Sequence, residues 1–154
     1  MHGGKNVKFK QFQFLKNEAI KKLTALEEEP LRLRKRTIEE CLSADAVMLA
    51  YIGDAVYSMY VRERVVQMNI TKVQILHTIV TEFICAKSQA KVLLEIEDAF
   101  TEEEQAIARR ARNSNVNVPK SSTVQEYRSS TAFEAVLGFL YETRQEDRLQ
   151  HILG

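Results

Sequence analysis

Apolar and polar residues recur at helical spacing along most of the chain. Over residues 8–28, Phe9, Phe12, Leu15, Ala19, Leu23 and Leu26 follow one another at steps of three and four among Lys and Glu. That spacing predicts an amphipathic helix ending before Glu29-Pro30. Residues 31–42 predict a second, more strongly charged helix with basic residues at its start. Ser43-Ala44-Asp45 then reads as the start of a long helix over 47–66. From Ala46 to Val61 the segment runs AVMLAYIGDAVYSMYV, with Asp54 its one charge. A helix apolar on all sides is normally buried on all sides.

Further on, residues 73–96 carry Val73, Leu76, Ile79, Phe83, Ile84, Val92, Leu93 and Ile96, the pattern of one helix or two. Thr101-Glu-Glu-Glu104 spells a capping box for a helix running to about Arg112. Residues 113–129, rich in Asn and Ser, read as a loop with one short turn near 124–128. The last long helix starts at Ser130 or Thr131 and presents Phe133, Val136, Leu137, Leu140 and Tyr141, and the helical pattern continues over 145–153. With only 5 Gly and 2 Pro in 154 residues, the turns of a sheet-rich fold have little to be made from. The fold class is all-α.

Composition changes this picture little. A hydrophobic fraction of 45% and a charged fraction of 28% are those of an ordinary globular protein. The net charge of +1 does not announce a nucleic-acid binder, so any such role rests on local patches. Cys41 and Cys85 lie in apolar surroundings without CxxC or Cys/His spacing, as expected of buried free thiols in a reducing compartment. Met1-His2-Gly3-Gly4-Lys5 lacks the apolar core of a secretory signal, and no run reaches the roughly 20 apolar residues of a membrane span. A cytoplasmic protein without a membrane segment is expected.

The candidate chemistry lies in two acids. An ionised carboxylate in an apolar helix is costly unless it is paired, hydrogen-bonded or bound to a cation. Asp54 is one such residue, and Glu134 is the only charge in Ser130-Thr-Ala-Phe-Glu-Ala-Val-Leu-Gly-Phe-Leu-Tyr141. Each has a glycine nearby, Gly53 and Gly138, and helix-interior glycine often marks close backbone approach. If the two glycine-bearing faces cross, the acids meet. Two carboxylates with water filling the other positions suit Mg²⁺. Two simpler readings compete: Thr131-x-x-Glu134 has capping-box spelling, and Arg62 or Lys87 would neutralise Asp54.

Basic residues gather around the loop. Arg109, Arg110 and Arg112 end one helix, Lys120 lies in the polar stretch, and Arg128 precedes the Glu134 helix. Cations at a helix C-terminus also complement its dipole. The same cluster makes a surface for tracking phosphates, to which Asn113, Asn115, Ser121 and Ser122 would add short polar contacts.

Residues 49–57 (LAYIGDAVY) resemble the signature helix of the ribonuclease III family, and residues 131–141 (TAFEAVLGFLY) resemble that family's second acid-bearing helix. The finer resemblance is to the Mini-ribonuclease III branch, a catalytic domain without an appended double-stranded-RNA-binding domain. It extends to Ala86-Lys-Ser-Gln-Ala90, Arg109-Arg-Ala-Arg-Asn113, and Pro119-Lys120 followed by Tyr127-Arg128. The likeness covers about residues 45–150, so the chain reads as a catalytic domain over 45–154 behind an N-terminal helical extension over 1–44. Full-length enzymes of the family typically carry further acids where this chain has Val47, Ala50 and Thr131, so Asp54 and Glu134 stand alone. Ala111 replaces an expected glycine, and Asn115 stands where lysine is common.

The resemblance implies a ribonuclease III-type helical endonuclease domain forming a homodimer, with one site per subunit along a shared valley for the duplex. Asp54 and Glu134 would be the catalytic and metal-binding residues, with Mg²⁺ activating water against a phosphodiester to leave 5′-phosphate and 3′-hydroxyl ends. Lys87, Arg109, Arg110, Arg112, Asn113, Lys120 and Arg128 would bind double-stranded RNA, read by shape and backbone. The branch implies maturation of large-subunit ribosomal RNA precursors. Modest charge and no accessory RNA-binding domain predict weak, salt-sensitive binding. Two rivals remain at this point: a non-catalytic RNA-binding or ribosome-associated protein on the same fold, and a helical adaptor with a dimer face including Tyr57, Met59 and Tyr60.

Overall fold

In a computed structural model, residues 3–25, 33–114 and 118–154 are described. The chain forms two compact units, Met1–Arg34 and Lys35–Gly154. Among its described residues the first holds one helix, α1 (Gly3–Thr24), which ends with Lys21 and Lys22 complementing its dipole. It begins five residues earlier than its apolar spacing predicts and ends before residue 25, while Leu26 lies outside the described residues.

The second unit contains α2 (Ile38–Ser43), α3 (Ala46–Val66), α4 (Val73–Ile84), α5 (Ala86–Ile96), α6 (Glu102–Arg112), α7 (Val124–Glu142) and α8 (Glu146–Leu153), with a 3₁₀ turn at Glu97–Ala99. The described residues are helical with no strand, the all-α fold expected. Helix α7 is the axis of the unit. Residues Ala132, Phe133 and the run Ala135–Leu140 are all buried, and α3, α5 and α6 pack around them. Sequence explains this position, because a helix apolar on every side must be covered on every side.

Helix α3 departs from that rule. Leu49, Ala50, Gly53, Tyr57, Val61 and Val65 are buried, mostly one turn apart, on the side facing α7. Met48, Tyr51 and Met59 lie off this stripe and are exposed, at 59%, 80% and 59%. Burial on all sides therefore does not hold within one chain. Tyr57 packs edge-on against Phe133 at 5.1 Å, and the Tyr60 hydroxyl donates to the Leu153 carbonyl at 2.9 Å. These two tyrosines belong to the unit's own interior, and only Met59 of the adaptor face stands free.

Two further boundaries move. The charged helix predicted over 31–42 is confined to α2, where Thr37 and Glu40 make a reciprocal capping box; residues 33–37 are irregular, and 31–32 lie outside the described residues. Helix α7 starts six residues before Ser130, because the Thr123 hydroxyl caps the Glu126 N–H at 3.1 Å. The two compact units divide after Arg34, within the stretch 1–44 read as an extension. Arg36 explains it: its N–H donates to the Glu142 carbonyl at 2.9 Å, its guanidinium pairs with the Glu142 carboxylate, and Cys41 nearby is fully buried. Both cysteines are free, but Cys85 is exposed between α4 and α5, not buried as its apolar neighbours suggested. Its thiol pKa is lowered by the Ser88 hydroxyl.

Candidate active site

Helices α3 and α7 meet backbone to backbone. A Cβ on Gly53 would lie 1.7 Å from the Glu134 carbonyl oxygen, and one on Gly138 would lie 1.8 Å from the Leu49 carbonyl oxygen. Nothing larger than hydrogen fits at either position. The contact fixes the acids, because Asp54 follows Gly53 and Glu134 itself supplies the backbone that Gly53 touches. Their carboxyls come within hydrogen-bonding reach of each other, Asp54 exposed and Glu134 half-buried. Burial, and then the charge of Asp54, push the Glu134 pKa up from 4.5 to about 8. Without a cation the pair retains a proton at neutral pH, and a divalent ion would take that proton's place. This donor set fits Mg²⁺, which needs few protein carboxylates and keeps its waters.

Ser130 supports the pair, and sequence reasoning missed it. One helical turn before Glu134, its hydroxyl donates to Glu134 Oε1 at 3.0 Å and opposes the rise in pKa. It also meets Oε1 of Gln89, a fully buried amide on α5 whose Nε2 has no partner among the described residues. One hydroxyl hydrogen cannot serve two acceptors. Turning the Gln89 amide by a half-rotation removes that conflict: Nε2 donates to Ser130 Oγ, which donates to the carboxylate. The only signals in the sequence were the four-residue spacing of Ser130 from Glu134 and a glutamine inside Ala86-Lys-Ser-Gln-Ala90.

The simpler readings of the acids fail. The Thr131 hydroxyl donates to the Tyr127 carbonyl at 2.9 Å, so it caps nothing, and Glu134 sits mid-helix. Asp54 pairs with no basic side chain among the described residues, and Arg62 and Lys87 are exposed. Among the described residues no group of three or more His, Cys, Asp or Glu gathers, in keeping with Val47, Ala50 and Thr131 at the positions of the family's extra acids.

Residues 47–145 match the Ribonuclease III domain. The chain belongs to the ribonuclease III family. It is similar to the Mini-ribonuclease 3 of Thermoanaerobacter sp. (strain X514), 44% identical over 118 residues that make up 76% of this chain and 83% of that protein. The Mini-ribonuclease 3 of Staphylococcus aureus is 44% identical over 109 residues, 69% of this chain and 81% of that protein. An X-ray structure of a Fusobacterium nucleatum protein superposes with a TM-score of 0.68 at 32% identity, covering 71% of this chain and 90% of that one. As a ribonuclease III-family protein of the Mini-ribonuclease III branch, the chain is an endoribonuclease.

In this ribonuclease III domain the basic residues divide by what already holds them. Lys87 at the start of α5, Arg109 on α6, Lys120 in the turn before α7 and Arg128 on α7 are exposed. Arg110 is half-buried, and its guanidinium donates to the Leu42 and Ala44 carbonyls, tying α6 to the junction of α2 and α3. Arg112 bridges to Glu97 at 3.2 Å. Asn113 closes α6, its N–H donating to the Arg109 carbonyl at 3.0 Å. Asn115 lies outside the described residues.

Proposed function

We propose that this endoribonuclease cleaves double-stranded RNA at a Mg²⁺ site formed by Asp54 and Glu134. The glycine-to-backbone contact of α3 and α7, which forces two carboxyls together, carries the reading. When bound, Mg²⁺ supplies charge neutralisation at the scissile phosphate and a water acidified toward hydroxide. Asp54 and Glu134 hold it; Ser130, backed by Gln89, keeps the Glu134 carboxylate turned toward its partner. Lys87, Arg109, Asn113, Lys120 and Arg128 bind the duplex backbone, while Arg110 and Arg112 chiefly hold α6 in place. Products carry 5′-phosphate and 3′-hydroxyl ends. The substrate is a structured precursor of ribosomal RNA in the cytoplasm; no helix among the described residues is long and apolar enough to cross a membrane.

The enzyme acts as a homodimer. Met48, Tyr51 and Met59 support this, being large apolar side chains left uncovered on the helix that bears Asp54. The test incubates purified protein, Asp54→Asn and Glu134→Gln with duplex RNA and Mg²⁺. Only the unaltered protein should cut, and equal cleavage by all three overturns the assignment.

A further inference from the structure

The charge of this chain is divided unequally between its units. Lys35–Gly154 holds 14 basic and 17 acidic residues, a net charge of −3, although its proposed substrate is a polyanion. Several of its cations are also already engaged within the fold, Arg36 on Glu142, Arg112 on Glu97, Arg148 on Glu104 and Arg110 on two carbonyls. Met1–Arg34 holds 8 basic and 4 acidic residues, net +4. Helix α1 alone carries 6 lysines against Glu18. Lys8, Lys10, Lys16 and Lys22 are exposed and make no ion pair among the described residues, while Lys21 reaches Glu18 only at 3.5 Å. The ribonuclease III match begins at residue 47, so this charge lies outside the family domain.

We propose that α1 is an RNA-binding arm, its lysines contacting phosphates of the same RNA that the acidic catalytic unit cuts. The proposal rests on the reading of RNA as substrate. A polyanion binds by counterion release wherever a lysine meets a phosphate, which needs density of charge and no particular face. A helix that lies in a membrane surface needs the reverse, one continuous apolar face. Here Lys16 falls on the same side as Phe9 and Leu23, and Phe14 falls nearly opposite Phe12, at 100° per residue. Most of its other apolar residues share one side, yet Lys8 and Lys16 fall within that same arc, so charge interrupts the apolar face. Exposed Phe9, Phe12 and Phe14 provide rings that stack on unpaired bases flanking a duplex.

The full chain is compared with a variant carrying Lys→Gln at 8, 10, 16, 21 and 22, and with a Lys→Arg counterpart. Binding to a labelled RNA hairpin is followed without Mg²⁺ across a salt series, and cleavage with Mg²⁺. The Gln variant should bind about tenfold or more weakly at physiological salt, with a salt slope shallower by about 0.9 for each phosphate left unneutralised. Its KM should rise in step while kcat stays within about twofold, and the Arg variant should match the unaltered chain. Unchanged affinity and slope in the Gln variant overturn the proposal. So does sedimentation of the chain with anionic phospholipid vesicles when RNA binding is indifferent to the five lysines, which would assign the helix to a membrane. Lysine-dependent binding of an RNA that is never cut would instead defeat the nuclease reading and leave the arm standing.

Discussion

Substituting Gly53 with alanine sets two effects of opposite sign against each other. Alanine is the better helix former by about 1 kcal/mol, so at an unconstrained position the change stabilises. At this crossing the new Cβ would lie 1.7 Å from the Glu134 carbonyl oxygen. Relief to an ordinary contact of about 3.4 Å requires α3 and α7 to part by about 1.7 Å, because neither atom can rotate away. A gap of 0.5–1 Å already forfeits about a quarter to a half of the dispersion attraction. The separation would be felt along the contact of Leu49, Ala50 and Tyr57 with α7. Overpacking costs about 1–3 kcal/mol where side chains can adjust, and a backbone clash falls at or above the upper end. The expected net loss is about 3 kcal/mol after the propensity gain, or about 6–12 °C in Tm at this chain length. Gly138→Ala drives the same two helices apart, so the double variant should lose less than the sum of the singles. Far-UV circular dichroism on heating measures all three. A Gly53→Ala Tm equal to or above that of the unaltered protein would refute the reasoning, as would strict additivity in the double.

Other outcomes follow from the same geometry. Because the folded-state pKa of Glu134 lies above 4.5, at about 8, its ionisation costs stability: the metal-free protein should lose stability as pH rises from about 4.5 to 8. Glu134→Gln should abolish that loss, raising Tm in chelator at pH 8 and leaving it unmoved near pH 4, which a melting series against pH would check. Ser130→Ala removes the hydroxyl on Glu134 Oε1 and should raise the Mg²⁺ concentration for half-maximal cleavage several-fold with little change in RNA affinity; a titration of rate against Mg²⁺ reads this directly. Arg110→Ala strips two carbonyls of their donor and should cost about 1–3 kcal/mol in urea unfolding with no change in the salt slope of RNA binding. Arg109→Ala should do the opposite, weakening RNA binding and its salt dependence while leaving the unfolding midpoint in place.

Much of the fold was legible in the chain because the signals were local. The scarcity of glycine and proline gave the fold class, Thr101 and Glu104 spelled the start of α6, and a lone acid beside a glycine in each of two apolar helices pointed to the crossing. What escaped depended on partners distant in sequence or on composition that misled. Asn/Ser richness hid the helix start at Thr123, although Thr123-x-x-Glu126 has the same spelling as Thr101-x-x-Glu104. The run of arginines after Ile107 looked uniform, yet one of them reaches back to carbonyls 66 and 68 residues away. Gln89 carried no sign of its role, since the group it meets lies 41 residues on. Helix α3 read as wholly buried because hydropathy cannot distinguish a core position from an exposed apolar one.

The pairing of α6 with α8 bears on where this protein can be cut short. Glu104, 1% exposed, serves two masters: it closes the capping box with Thr101 and takes a bidentate grip from Arg148, whose guanidinium also reaches the Ala99 carbonyl. The family domain ends at residue 145, three residues short of that arginine and four short of buried Leu149. A fragment trimmed to the family boundary would strand a buried carboxylate, at a cost of about 3–5 kcal/mol, much of the margin by which a domain stays folded. A piece of this enzyme that folds alone therefore has to extend past the family domain, and the eight-residue helix α8 is a structural keystone rather than a tail.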